Sequence, residues 1–202
     1  ERNNNTCITR SDKNRFNLYR MAEAIVPNSN SQGKFICNNF PFLSKKVHPI
    51  INFVDIKRFT PSETPSENNT LRIVTVARYA PQKNVLTYLK AVRIVKDMGL
   101  KVHFDWYGDK IHYAAYYAEI ETEYQRLDVA DYLTLHDPNQ KIEEEYRKSD
   151  MFCLPSLFEG YPNVVVEAMS CGLPIICSNV YENPYIVEEG VNGFLFDPNK
   201  PE

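Results

Sequence analysis

The sequence predicts an α/β protein built on a doubly wound, parallel sheet, and three observations carry that expectation. From residue 71 onward, short apolar runs rich in β-branched residues alternate with segments of helical period. Gly99, Gly108, Pro155 and Gly172 stand where those runs and helices should stop. The chain has 202 residues, 43% of them hydrophobic, which is enough apolar material for the core of one large or two small domains.

The elements follow in order. The first strand is read over 71–77 (LRIVTVA), and the next helix carries Leu86, Leu89, Val92 and Val95 before Gly99. A second strand over 102–107 (VHFDWY) ends at Gly108, and a tyrosine-rich helical segment over about 112–127 leads to a third strand over 132–135. A short charged helix over 141–148 precedes a fourth strand over 151–154 (MFCL), closed by Pro155. A helix over 164–170, stopped by Gly172, then connects to strands over 175–177 and 194–196. Together these make a Rossmann-like domain over 71–202.

Residues 61–70 offer only Pro, Ser, Thr, Asn and Glu, with no apolar side chain to bury, and read as a linker. Residues 1–60 are too few for a second α/β domain and read as the end of one, with a helix over 15–24 and strands over 25–27 and 47–53. They hold ten basic and four acidic residues, whereas 141–202 hold four basic and eleven acidic. That asymmetry is either an anionic partner surface or two solvated faces of opposite sign.

Composition narrows the function. A net charge of -3 gives no cationic field for nucleic acid. No stretch approaches the roughly 18 apolar residues that cross a bilayer, and the first residues do not resemble an export signal. Five scattered cysteines (Cys7, Cys37, Cys153, Cys171, Cys177) without a C-x-x-C pair argue against a disulfide framework or zinc site and fit a reducing cytoplasm. His48, His103, His112 and His136 have no metal-ligand spacing, so no metal is expected. Seven glycines against thirteen prolines leave no glycine-rich phosphate loop.

Open α/β sheets bind ligands at the carboxyl ends of their strands, so the residues just past each strand are the candidate site. Arg78 and Lys83 follow the first strand and form a pair of cations suited to a diphosphate, or two ordinary loop cations. After the fourth strand, Gly160 lets backbone approach a ligand, Pro162 sets φ for a helix start, and the first helical N–H groups attract an anion. Glu159 and Glu167, seven residues intervening, suit the vicinal hydroxyls of a sugar; alternatively they are a helix-start charge and a surface residue. Tyr107, Tyr113, Tyr116, Tyr117 and Tyr124 read either as a carbohydrate surface or as helix packing.

Arg78 with Lys83, then SLFEGYPNVVVEAMSCGLPII and EEGVNGFLF, resemble the C-terminal half of retaining, nucleotide-sugar-dependent glycosyltransferases of the GT-B fold, of the group 1 or family 4 type. The glutamates match that family's Glu-x-x-x-x-x-x-x-Glu motif, and the likeness extends to residues 22–29 and 47–59. The resemblance implies that Arg78 and Lys83 bind the donor diphosphate, Glu159 faces the transferred sugar near Gly160, Tyr161, Pro162 and Asn163, Glu167 meets the ribose, and His136 lies under the base. It implies a nucleoside-diphosphate sugar as donor, no separate cofactor, a glycan or lipid-linked acceptor in surface polysaccharide synthesis, and a cytoplasmic enzyme, free or peripheral at the inner membrane face.

Departures are visible. The hinge reads Asn52-Phe53-Val54-Asp55 instead of Asn-Gly-Val-Asp, the third strand ends in Leu135-His136-Asp137 instead of Phe-x-Gly, and Val180-Tyr181-Glu182-Asn183-Pro184 replaces a loop with paired glycines. The family's N-terminal Rossmann domain is not in the sequence, so the expectation is a fragment that binds nucleotide and transfers no sugar alone. An epimerase or phosphorylase of the same fold, or a non-catalytic binding module, are the alternatives.

Overall fold

The computed structural model describes residues 8–63 and 69–201; residues 64–68 of the expected linker, and Cys7, lie outside the described residues. The chain opens with helix α1, Arg10–Leu18, set by a capping box: Thr9 Oγ accepts from the Asp12 N–H (3.1 Å) and the Asp12 carboxylate accepts from the Thr9 N–H (3.0 Å). This corrects the helix expected over 15–24. Thr9 starts it five residues earlier, a 3-10 turn at Tyr19–Met21 follows, and Ala22 is already extended. Lys46 Nζ closes that end by donating to the carbonyls of Arg20 (2.7 Å) and Ala22 (2.8 Å).

Helix α2, Asn30–Asn39, was not expected from the polar NSNSQG run; Ser29 caps it by accepting from the Gln32 N–H (3.2 Å). The two strands expected over 25–27 and 47–53 reduce to one parallel bridge, Ile25 with Val47. Pro27 and Pro49 have no N–H, so the ladder has no donor at those positions. A small core of Phe16, Ile25, Ile36, Phe40 and Leu43 holds this region, with the Phe16 and Phe40 rings stacked at 4.3 Å.

The remaining elements are β1 Leu71–Val76, α3 Val85–Asp97, β2 Val102–Tyr107, α4 Ala114–Leu127, β3 Leu133–His136, α5 Ile142–Arg147, β4 Met151–Leu154, α6 Asn163–Ser170, β5 Ile175–Ser178, α7 Asn183–Ile186 and β6 Gly193–Phe196. The six strands form one parallel sheet in the order β3-β2-β1-β4-β5-β6. The parallel doubly wound expectation holds, and all six predicted strands lie within a residue or two of their expected bounds. β1 is central, and Ile73, Val74 and Thr75 in its middle are buried in succession, as in a strand covered on both faces.

Packing fixes the strand ends where a ligand would sit. Trp106, fully buried, donates from Nε1 to the Ala77 carbonyl (2.8 Å), and Tyr79 Oη donates to the carbonyls of Trp106 and His136 (2.9 Å each). These bonds tie the ends of β1, β2 and β3 together. A Cβ on Gly108 would stand 2.0 Å from the Ala77 carbonyl oxygen, so only glycine lets the two chains pass. Gly172 stops α6 at φ +82°, as expected of a left-handed stop. Tyr116, Tyr117 and Tyr124 pack on the main core, Tyr117 edge-on to Tyr79 at 4.9 Å, which is the helix-packing reading of those tyrosines.

The N-terminal region is joined to the sheet body by polar contacts. The buried Glu182 carboxylate accepts from the N–H groups of Asn30 and Ser31 (2.9 Å each) at the start of α2, where a negative charge complements the helix dipole. Lys34 Nζ donates to Tyr185 Oη (2.9 Å), Asn52 Nδ2 to Asn163 Oδ1 (2.7 Å), and Arg58 pairs with Glu143 (2.8 Å). The basic N-terminal and acidic C-terminal stretches therefore meet in part.

Candidate active site

The strand order reverses direction between β1 and β4, and the crevice outside the carboxyl ends of strands at such a switch point is where this topology places ligands. A cleft of about 450 Å³ lies there. β1 leads into it through Arg78 and Lys83, the latter ending the 3-10 turn Pro81–Lys83; β4 leads into it through Glu159, Tyr161 and Pro162; α6 contributes Asn163 and Val164. Asn84 takes the left-handed conformation (φ 59°), which turns the chain from Lys83 into α3, and Asn tolerates that conformation better than most residues.

Lys83 and Glu159 are brought together: Nζ stands 2.5 Å from Oε1, and both side chains are largely buried. Gln82 makes this possible by gripping the facing loop twice, its Nε2 donating to the Phe158 carbonyl (2.7 Å) and its own carbonyl accepting from the Leu157 N–H (2.8 Å). A carboxylate only 6% exposed needs a charged or hydrogen-bonding partner. The ammonium has three donors, so Lys83 can keep Glu159 and still donate to a further anionic oxygen. Arg78 is exposed at the rim with its guanidinium 5.9 Å from the Tyr113 ring centre. Pro162, the N-cap of α6, supplies no side-chain acceptor, which leaves the first turn of α6 open to an external anion.

Of the residues expected from sequence, Arg78, Lys83, Glu159, Tyr161, Pro162 and Asn163 line this one cleft, and Gly160 lies between two of them. Glu167 is not in the cleft wall. It sits one turn deeper on α6, half-buried, and accepts from Tyr146 Oη (3.3 Å). Burial pushes its carboxyl above the ordinary glutamate range, and the Tyr146 hydrogen bond and Arg58 offset this only in part. His136 is also behind the wall. Its Nε2 stands 2.7 Å from Asp105 Oδ1, and its ring stacks on Tyr107 at 4.2 Å, which does line the cleft. Burial alone would raise the Asp105 carboxyl, but hydrogen bonds from Arg72 and His136 outweigh it and hold the group below the usual range.

Tyr107, Gly108, Asp109, Pro138, Asn139 and Ile142 also line it; the sequence offered Tyr107 only as one of a tyrosine cluster and Gly108 only as a strand stop. The available signal was position: Gly108 and Asp109 follow the second strand as Arg78 follows the first. Asp109 accepts from the Ile111 N–H (2.9 Å) and pairs with His112, and that backbone hydrogen bond chiefly holds its carboxyl low. Among the described residues no cluster of His, Cys, Asp and Glu is placed to hold a metal ion. No helix there is long and apolar enough to cross a membrane.

Residues 70–202 match the family described as "Glycosyl transferases group 1". The chain belongs to the group 1 glycosyl transferases.

The chain is similar to the Escherichia coli UDP-Gal:alpha-D-GlcNAc-diphosphoundecaprenol alpha-1,3-galactosyltransferase, 30% identical over 166 residues, 76% of this chain and 42% of that protein. The amylovoran biosynthesis glycosyltransferase AmsK of Erwinia amylovora is 28% identical over 187 residues, 88% of this chain and 44% of that protein. The chain thus spans less than half the length of either group 1 relative. In fold it is similar to Anabaena Alr3699/HepE in complex with UDP and glucose, with TM-score 0.84 and 20% identity over 96% of this chain and 55% of that one. It is also similar to the C-terminal domain of LpcC, a group 1 family protein of Francisella tularensis, with TM-score 0.64 and 19% identity over 74% of this chain and 82% of that one.

Proposed function

We propose that the chain is the donor-binding half of a retaining glycosyltransferase that moves a sugar from a nucleoside-diphosphate sugar to a glycan or lipid-linked acceptor in surface polysaccharide synthesis. The observation that carries this is the convergence of Arg78, Lys83, Glu159 and the first turn of α6 on one cleft at the switch point. Cations and helix N–H groups suit the diphosphate, and the carboxylate suits sugar hydroxyls. The names of the relatives point the same way. Uridine diphosphate is the first nucleotide to try, since HepE is titled with UDP and the galactosyltransferase is named for a UDP-sugar.

In the reaction a bond forms between the acceptor oxygen and the anomeric carbon as the bond from that carbon to the β-phosphate oxygen breaks, and the acceptor proton leaves on the departing diphosphate. Attack on the face that the diphosphate vacates retains the anomeric configuration. Arg78, Lys83 and the start of α6 stabilise the leaving charge, so no metal or other cofactor is needed. Glu159 orients the sugar, and Glu167 with the Tyr107 and His136 stack serves the nucleoside end. The facing half of the cleft comes from a further domain, and the enzyme works on the cytoplasmic side, free or at the membrane surface.

Calorimetry with UDP, GDP and ADP tests the donor reading. We expect one nucleotide to bind with affinity unchanged by EDTA, and Arg78→Ala and Lys83→Ala each to weaken it about tenfold or more, the scale of a charge-assisted hydrogen bond. No binding by the wild type, or binding unmoved by both variants, overturns it. Sugar transfer by the chain alone overturns the fragment reading, and an inverted product from the whole enzyme overturns retention.

A further inference from the structure

Beside the donor cleft lies a second cavity of about 460 Å³, lined by Asn28, Asn52, Phe53, Tyr161 and Asn163. Tyr161 and Asn163 line both, so a molecule in one abuts a molecule in the other. The two cavities differ in chemistry. The donor cleft carries Arg78, Lys83, Asp109 and Glu159, whereas the second has no charged side chain in its lining. A charged ligand there would be desolvated without a counter-charge, whereas a neutral polar one would not.

Three carboxamides and a phenol offer both donors and acceptors, the complement of hydroxyl groups, which also do both. The hydrogen bond from Asn52 Nδ2 to Asn163 Oδ1 (2.7 Å) fixes two of the amides across the junction of the N-terminal region and α6. Asn28 also lines the cavity, with its Oδ1 buried behind the wall and meeting no donor among the described residues. Phe53 is 94% exposed. A bare aromatic ring beside hydroxyl-seeking amides is the pairing that receives a pyranose, whose C–H face lies on the ring while its hydroxyls turn to the polar groups.

We propose that this cavity is a subsite for a neutral saccharide, the acceptor sugar, with its ring laid on Phe53 and its hydroxyls on the carboxamides of Asn28, Asn52 and Asn163. That the saccharide is an acceptor rests on the glycosyl-transfer reading above; that the cavity binds a saccharide does not.

The test is an NMR titration of the 202-residue chain, with and without UDP, by the methyl α-glycosides of glucose, galactose, mannose and N-acetylglucosamine, with glucuronate as the charged comparison. At least one neutral glycoside should shift the amide signals of Asn28, Asn52, Tyr161 and Asn163 and outcompete glucuronate. Phe53→Ala, a change at an exposed side chain that leaves the fold intact, should weaken that glycoside tenfold or more and leave UDP affinity unchanged. The proposal fails if none of the four neutral glycosides binds, if glucuronate binds as well as they do, or if Phe53→Ala binds like the wild type. Glycoside binding without UDP binding would sink the donor reading and keep the subsite; UDP binding without glycoside binding would do the reverse.

Discussion

Residues 69–201 enclose a continuous core that runs through the sheet from Ile73 and Trp106 to Leu154 and Ile175, whereas residues 8–50 gather around Phe16, Ile25, Ile36, Phe40 and Leu43 alone. The large region is held by burial on both faces of a sheet. The small one has one short bridge and two helices, and it leans on the sheet body through Glu182 and Tyr185. The difference teaches that the same chain uses two kinds of stability: apolar area beneath the strand ends that form the cleft, and hydrogen bonds where the N-terminal region meets the sheet body.

The strongest way to break the comparison is Trp106→Ala. Trp106 is fully buried and bonded to Ala77, so its removal should cost about 3–5 kcal/mol and unfold the whole sheet body in one transition, measured by urea denaturation. Phe16→Ala should cost its own small core a comparable amount and yet leave the sheet standing. Hydrogen exchange would then rise over residues 8–50 only, and faster exchange of β1 as well would show that the two regions are one cooperative unit.

Glu182→Ala is a smaller and more informative cut. It leaves the N–H groups of Asn30 and Ser31 without their carboxylate, which should cost about 1–3 kcal/mol and raise exchange over 30–39. Lys34→Ala, at an exposed contact, should change it far less.

The mildest effect is with pH. Burial raises the Glu167 carboxyl, so the folded chain keeps a proton that the unfolded chain has released, and stability should fall as pH rises from the ordinary glutamate value of 4.5 through the raised one. A ribose that donates to this carboxylate favours its charged form, so UDP affinity should rise over the same interval. Glu167→Gln should flatten both trends; a UDP affinity that instead falls with pH would remove Glu167 from the nucleoside end.

Legibility in the sequence follows the same division. The strands announce themselves because a buried parallel strand is a run of apolar residues, and Arg78, Lys83 and Glu159 were found because they follow such runs. Tyr107 was met only as one of a tyrosine cluster, since its place in the cleft depends on its register beside Val76 and His136, which the strand order decides and periodicity does not. In the N-terminal region the useful signals were local and polar: Thr9 three residues before Asp12, Ser29 before a helix, and prolines at 27 and 49. A search for apolar period passes over all of them. Glu182 was visible only as a departure from glycine, and nothing in the sequence says that its partners lie at residues 30 and 31.

The pairing of Lys83 with Glu159 sets how the cleft responds to ionic strength. A diphosphate that enters meets one exposed cation, Arg78, which solution ions screen, and one that already has a fixed counter-ion within the protein. Added salt therefore competes for the first contact and hardly touches the second. Affinity should decline with salt as it would for a single positive charge, and the double reliance on cations would be concealed from any experiment that varies only the buffer.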